Sequence, residues 1–375
     1  MKYAIYNILL GFTILAMSAC KPEPQPELPG SQIPFTNPNA TPYDMVSQIP
    51  PFFGMMPLPA NDPMTVEAIS LGRYLFWDKK LSADNTISCG SCHLPSHAFS
   101  DPQTFSIGVN GAIGARQSMT LTNVGWSPKL FWDGRESSLE SQIVQPVIHP
   151  LEMNQSWEDA IKKLEADPQY APMFTAAFGS NHISQSRVTR AIAQFIRTMI
   201  SGNSKYDRWK LGLEDFTLAE ERGFELFILE GGDPAAGQGG QFGADCFHCH
   251  TLGGNQFTNY EFINNGLDPE VNWTDLGLGA VTGDPYDYAK FKVPTLRNIE
   301  NSAPYMHDGR FQTLAEVIEH YNMGGHPSTT ASPFMKYTQG GLNLPEEDKL
   351  ALIAFLKTLT DNDFMNNPSF SDPHQ

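Results

Sequence analysis

Two pentapeptides, Cys89-Gly90-Ser91-Cys92-His93 and Cys246-Phe247-His248-Cys249-His250, decide how this chain folds. Each reads Cys-x-x-Cys-His, the pattern by which a c-type haem is attached. Two thiols about one helical turn apart can each add to a vinyl group on one porphyrin edge, and the next residue sets its imidazole beneath the iron. One copy could be half of a zinc site. Two copies predict two covalent haems, attached through Cys89, Cys92, Cys246 and Cys249, with His93 and His250 as axial ligands.

The remaining cysteine, Cys20, leaves no disulfide framework and closes an apolar run over residues 4–19. That run follows Met1-Lys2 and is shorter than a membrane span, as in a signal peptide. Ser18 and Ala19 before it read as a lipoprotein box with a lipid-modified Cys20, and an ordinary secretory signal is the alternative. Both predict export to the periplasm or the outer membrane, where c-type haems are attached. Against 24 Lys and Arg stand 41 Asp and Glu, a net charge of −17. With no basic stripe, that balance excludes nucleic acid as a partner.

Outward from the motifs the chain reads as helices joined by long loops. A Pro-rich stretch over 21–60 predicts an extended tether. Ala68, Leu71 and Leu75 have helical spacing over 65–77. Residues 99–118 read as loop, and helix resumes at Leu139. Val188, Ile192, Phe195, Ile196 and Met199 form one core stripe behind a Ser184 cap. Residues 205–215 cross between halves. A helix over 218–229 leads through a Gly-rich loop, 231–243, to the second motif. After a loop over 251–292 come a helix at 314–321 and a last one from Pro345, with Glu346, Glu347 and Asp348 in its first turn. Strand signals are weak, so the fold class is all-α.

The two halves repeat. Gly72-x-x-Leu75-Phe76 precedes the first motif and Gly223-x-x-Leu226-Phe227 the second. Thr120-Leu121-x-Asn123 and Asp133-Gly134-Arg135 recur at Thr295-Leu296-x-Asn298 and Asp308-Gly309-Arg310, both offset by 175 (295 − 120 and 308 − 133). This register pairs Trp132 with His307, Gln142 with Val317, and Pro146 with Tyr321. Pro146 cannot ligate iron and Tyr321 can, so one haem is expected open and the other closed. His320 and Met323 are rival ligands, and the register selects Tyr321.

On these residues, with Phe131-Trp132-Asp133-Gly134-Arg135, Glu152-Met153-Asn154 and the block from Pro294 to Gly309, the chain resembles the bacterial dihaem cytochrome c peroxidases and their MauG-type relatives. The resemblance covers about residues 65–360 and implies two cytochrome-c-like haem domains: a peroxidatic one over 61–212 and an electron-transfer one over 213–340. Residues 1–20 are then the signal and lipobox, and 341–375 a helix and tail packing back on the body. It implies that Glu152 is the distal acid–base residue, Gln142 its companion and Trp132 the relay between haems. Gln117, Ser302 and the carbonyl of Pro304 match positions that hold a structural calcium, Gln117 standing where Asn is usual. Two departures matter. The family's ligating His after Ile-Gly is Val109 here, so the first haem is expected to be five-coordinate. The distal ligand of the second, fourteen residues after His307, is Tyr321, as in the MauG type.

The implied activity is reduction of hydrogen peroxide with electrons from a small cytochrome c or a cupredoxin. The alternatives are a MauG-like oxidase acting on Trp or Tyr side chains of a partner protein, and an electron carrier without catalysis.

Overall fold

A computed structural model of the chain describes residues 37–231, 243–338 and 340–375. The predicted signal, Cys20, and the first part of the tether lie outside them. Twelve α-helices run through the described residues: α1 Val66–Trp77, α2 Cys89–Cys92, α3 Leu139–Ile148, α4 Trp157–Glu165, α5 Tyr170–Phe178, α6 Gln185–Arg197, α7 Lys205–Lys210, α8 Leu218–Ile228, α9 Leu278–Thr282, α10 Leu314–Met323, α11 Glu346–Lys357 and α12 Asn362–Met365. The described strands are two short ones, β1 Phe262–Ile263 and β2 Phe291–Lys292, paired antiparallel with Phe262 opposite Lys292. The fold is all-α, as the sequence predicts. None of the described helices is long and apolar enough to cross a membrane.

Local chemistry starts these helices where the sequence says they start. Thr65, Ser138 and Ser184 accept a backbone N–H from Ala68, Ser141 and Arg187, and Thr217 and Thr313 form capping boxes with Glu220 and Glu316. Each cap satisfies a donor that the first helical turn would otherwise leave unpaired. Ser138 and Thr313 stand 175 apart, so α3 and α10 begin at equivalent places in the repeat.

Packing repeats as well. A methyl group at Gly72 of α1 would lie 1.9 Å from the Ala191 carbonyl oxygen of α6, and one at Gly223 of α8 would lie 2.0 Å from that of Ala351 in α11. Both glycines exist so that two helix backbones can touch. Around the first contact Leu71, Phe76, Phe174 and Phe195 form one core; around the second Leu226, Phe227, Phe355 and Ile318 form another. α11, assigned by sequence to a separate C-terminal segment, is therefore the counterpart of α6 and part of the second core.

The halves meet about equivalent residues. Asn123 and Asn298 both take left-handed backbone, with φ of 54° and 60°. The Asn123 side-chain amide donates to the Ser201 carbonyl and the Asn298 side-chain amide to the Ser201 hydroxyl, both at 3.0 Å. Buried Asp207 and Arg297 add a two-pronged ion pair, both contacts at 2.8 Å.

The tether expectation needs correction over 37–60. Met45 and Met56 are buried with Met64 and Trp126, and the Trp126 indole donates to the Gly54 carbonyl at 2.8 Å. Three buried sulfur-bearing side chains and a Trp provide enough apolar contact to hold this Pro-rich stretch against the body.

Candidate haem sites and the path between them

Both axial-ligand candidates are held in the same way. His93 Nδ1 lies 2.8 Å from the Phe99 carbonyl oxygen, and His250 Nδ1 lies 3.0 Å from that of Phe257. Burial lowers the pKa of each imidazole, that of His250 to about 4, so both rings are neutral. A neutral ring donating Nδ1–H to a carbonyl keeps its Nε2 lone pair for a metal. Burial also pushes the thiols up, to about 12 for Cys89 and Cys246 and about 11 for Cys92 and Cys249. Paired free thiols beside an oriented imidazole fit a covalent haem in each half.

The second half shows its crevice directly. Cys246, Cys249 and His250 line one cavity with apolar Val293, Leu296 and Leu314, and Tyr321 reaches the same space. Burial raises the Tyr321 pKa to about 12, partly offset by Asn265, whose Nδ2 donates to its hydroxyl at 3.1 Å. The rivals are placed otherwise. His320 Nε2 lies 3.1 Å from the Asn265 carbonyl oxygen, and Met323 is 68% exposed. Asn265 gave no sequence signal, because its contact with Tyr321 spans 56 residues.

In the first half, α3 ends at Ile148 and the loop after it folds back. The Pro146 carbonyl accepts the Met153 N–H (3.1 Å), and the Glu152 carbonyl accepts the Val109 N–H (2.9 Å). A methyl at Gly108 would lie 2.1 Å from the Leu151 carbonyl oxygen, so Ile107-Gly108-Val109 is pressed against the Glu152 loop. Burial raises the Glu152 pKa, against the opposing pull of His149 and Arg135. Its charge reaches both Cys89 and Cys92. His149, given no role by sequence, sets Nδ1 3.5 Å from Glu152 Oε1. Gln142 is half-buried on α3, one turn before Pro146; the side chain found beside the Glu152 carboxylate is that of His149.

Trp132 lies between the halves. Its indole N–H donates to the Gln117 carbonyl at 2.8 Å, while its own carbonyl accepts the Lys292 N–H of β2 at 2.9 Å. The Gln117 N–H in turn donates to the His307 carbonyl at 2.8 Å. Trp132 is buried and lines the crevice of Cys246 and His250. Its repeat partner His307 stacks on Phe291 with centroids 3.6 Å apart. Gln117, Ser302 and Pro304 line the same crevice. The Gln117 amide nitrogen is turned to Ser100 Oγ at 2.8 Å, and the Ser302 hydroxyl to the Ile299 carbonyl at 3.4 Å.

Comparison with known proteins places this geometry. A family model described as di-haem cytochrome c peroxidase matches residues 66–215. The methylamine utilization protein MauG of Methylorubrum extorquens is 37% identical over 311 residues, covering 81% of this chain and 81% of that protein. Cytochrome c551 peroxidase of Nitrosomonas europaea is 34% identical over 314 residues, covering 82% and 84%. Among solved structures, a MauG-like protein associated with microbial copper homeostasis matches with a TM-score of 0.75 at 36% identity, covering 87% of this chain and 98% of that one. Such agreement over most of each chain, in sequence and in fold, makes this protein a member of the di-haem cytochrome c peroxidase and MauG family, haem oxidoreductases carrying two c-type haems.

Proposed function

We propose that this chain reduces hydrogen peroxide on the open side of the His93 haem, with electrons entering from an external donor through the second haem. When bound, the haem iron supplies a coordination position for peroxide and the redox capacity to break its O–O bond. The Glu152 carboxylate takes a proton from one peroxide oxygen and returns it to the other, and Gln142 helps to orient the substrate. Trp132, clamped by Gln117 and Lys292, offers an oxidisable ring between the halves. His250 and Tyr321, which line one crevice, would hold the second haem iron. A calcium between the halves would draw on Gln117 Oε1, Ser302 Oγ and the Pro304 carbonyl, and metal analysis of the purified protein decides it. The lipid anchor at Cys20 is tested by the mass of the mature N-terminus.

The observation that carries this reading is the backbone bond from Val109 to Glu152. It puts an aliphatic side chain, without any ligating atom, at the turn that seats the acid. Resting-state EPR of the ferric protein tests it, with one high-spin and one low-spin iron expected. Two low-spin irons inert to peroxide would leave only an electron carrier. In Tyr321→Phe the low-spin signal should be lost or displaced, since the phenol oxygen is gone while the crevice stays filled.

A second reading, a MauG-like oxidase of aromatic side chains on a partner protein, is favoured by Tyr321 in the His250 crevice. Peroxide with a reduced small cytochrome c or cupredoxin separates the two. Rapid donor oxidation supports the peroxidase, and a mass change on a partner's Trp or Tyr supports the oxidase.

A further inference from the structure

One group of ligating side chains stands at the edge of the second haem crevice, which Asp245 and Lys336 also line. Where α8 ends and the second attachment motif begins, Glu230, Asp245 and His248 each bring one ligand atom to a common point, all within 4.8 Å of one another. His248 Nε2 stands 3.0 Å from Glu230 Oε1 and 3.5 Å from Asp245 Oδ1, yet among the described residues it is buried without an aligned hydrogen bond. Both Asp245 carboxylate oxygens are buried and, among the described residues, accept no aligned hydrogen bond, their cation being Lys336, and that side chain is only 8% exposed. Among the described residues the two carboxylates share the Lys336 ammonium as their cation, and a buried imidazole nitrogen left beside them without an aligned bond is costly. Two ligands each about 2.1 Å from a tetrahedral zinc lie about 3.4 Å apart, close to the 3.0 and 3.5 Å measured here.

The Gly243 N–H donates to the Glu230 carbonyl (2.8 Å) and the Asp245 N–H to that of Leu229 (3.2 Å), which pins two ligands side by side. The His248 ring is stacked on Phe334, 4.4 Å between centroids, with Phe247 at 4.2 Å. Charge favours a cation. Lys336 pairs with Glu230. Lys336 also lies 3.2 Å from Asp245 Oδ2, and one ammonium against two carboxylates leaves the group negative. Glu230 is 60% exposed, which leaves an entry path. The sequence adds an independent point: the first motif has Ser91 where the second has His248, so haem attachment does not call for this imidazole.

We propose that Glu230, Asp245 and His248 bind a divalent transition-metal ion of the zinc class, displacing the Lys336 ammonium as it enters. Two carboxylates and one imidazole suit such an ion better than calcium or magnesium, which take oxygen. The site does not depend on which peroxide chemistry the haems perform.

The test is calorimetric titration of the chelator-treated holoprotein with zinc chloride, with Cu2+ EPR in parallel. One equivalent of zinc per chain is expected, and a copper spectrum showing one coordinated nitrogen. Asp245→Asn and His248→Ser should each weaken zinc at least about tenfold, with absorbance confirming that both haems are retained. Lys336→Met should tighten binding by removing the competing charge. No stoichiometric uptake, or uptake that both Asp245→Asn and His248→Ser leave unchanged, overturns the proposal.

Discussion

Glu152 sits between two opposing influences. Burial favours its neutral form, His149 and Arg135 favour its charged form, and burial prevails, so its pKa is raised. A base must be ionised to accept the peroxide proton, so kcat/KM should rise with pH through a value above the ordinary glutamate pKa of about 4.3. Glu152→Gln should remove that acid limb and lower kcat/KM by about 10²–10⁴-fold with haem content unchanged, read by steady-state kinetics across pH. Asp207 shows the reverse sign. Burial raises its pKa, but two bonds from Arg297 and those from Ser204 outweigh it, and the net shift is downward. Its stabilising contribution is full above the unfolded aspartate value of about 3.9 and fades as pH falls through the lower folded one. Asp207→Asn leaves the fully buried Arg297 guanidinium without its charge partner, at a cost of about 3–5 kcal/mol at neutral pH. The gap in Tm between this variant and the parent should narrow below about pH 4.

Each haem half rests on one close helix pair, α1 with α6 and α8 with α11, and each pair depends on a glycine. A Cβ at Gly72 or Gly223 meets backbone within 2.0 Å, where no side-chain rotation relieves the clash. Gly72→Ala and Gly223→Ala should therefore each cost about 3 kcal/mol or more, read as a lower Tm. The Gly72 change should perturb the spectrum of the His93 haem first, and the Gly223 change that of the His250 haem. These helices were legible because caps and apolar spacing are local: Thr65, Ser184 and Thr217 start helices where the sequence says they do. The 251–292 loop was legible only as loop. Its strand β2, which holds the Trp132 carbonyl, is two residues long and has no alternation to detect.

At the scale of the whole molecule the end of the chain packs on the first half. After α11 the tail crosses back, and Phe364 and Phe370 enter the first core against Phe99 at 5.5 and 5.9 Å between centroids. The Trp77 indole donates to the Phe370 carbonyl at 3.1 Å, and Arg73 grips the Pro368 and Ser371 carbonyls at 2.8 Å each. Phe99 supplies the carbonyl that orients His93, so residues beyond the second half brace the ligand of the first. Phe370→Ala should cost about 3–5 kcal/mol and broaden the EPR signal assigned to the His93 iron while leaving the other unchanged. A tail that merely trailed the body would show neither effect.

The sequence by itself determined the two attachment motifs, their histidines, the duplication in register and the all-α class. Each is written in short spacings that survive without knowledge of the fold. Only the tertiary structure decided how those parts serve one another: Asn265 beside Tyr321, His149 beside Glu152, the Gln117 and Lys292 clamp on Trp132, and the tail behind Phe99. Most of these contacts join residues far apart in the chain, and their energy comes from burial and hydrogen bonding that exist only once distant segments close on each other.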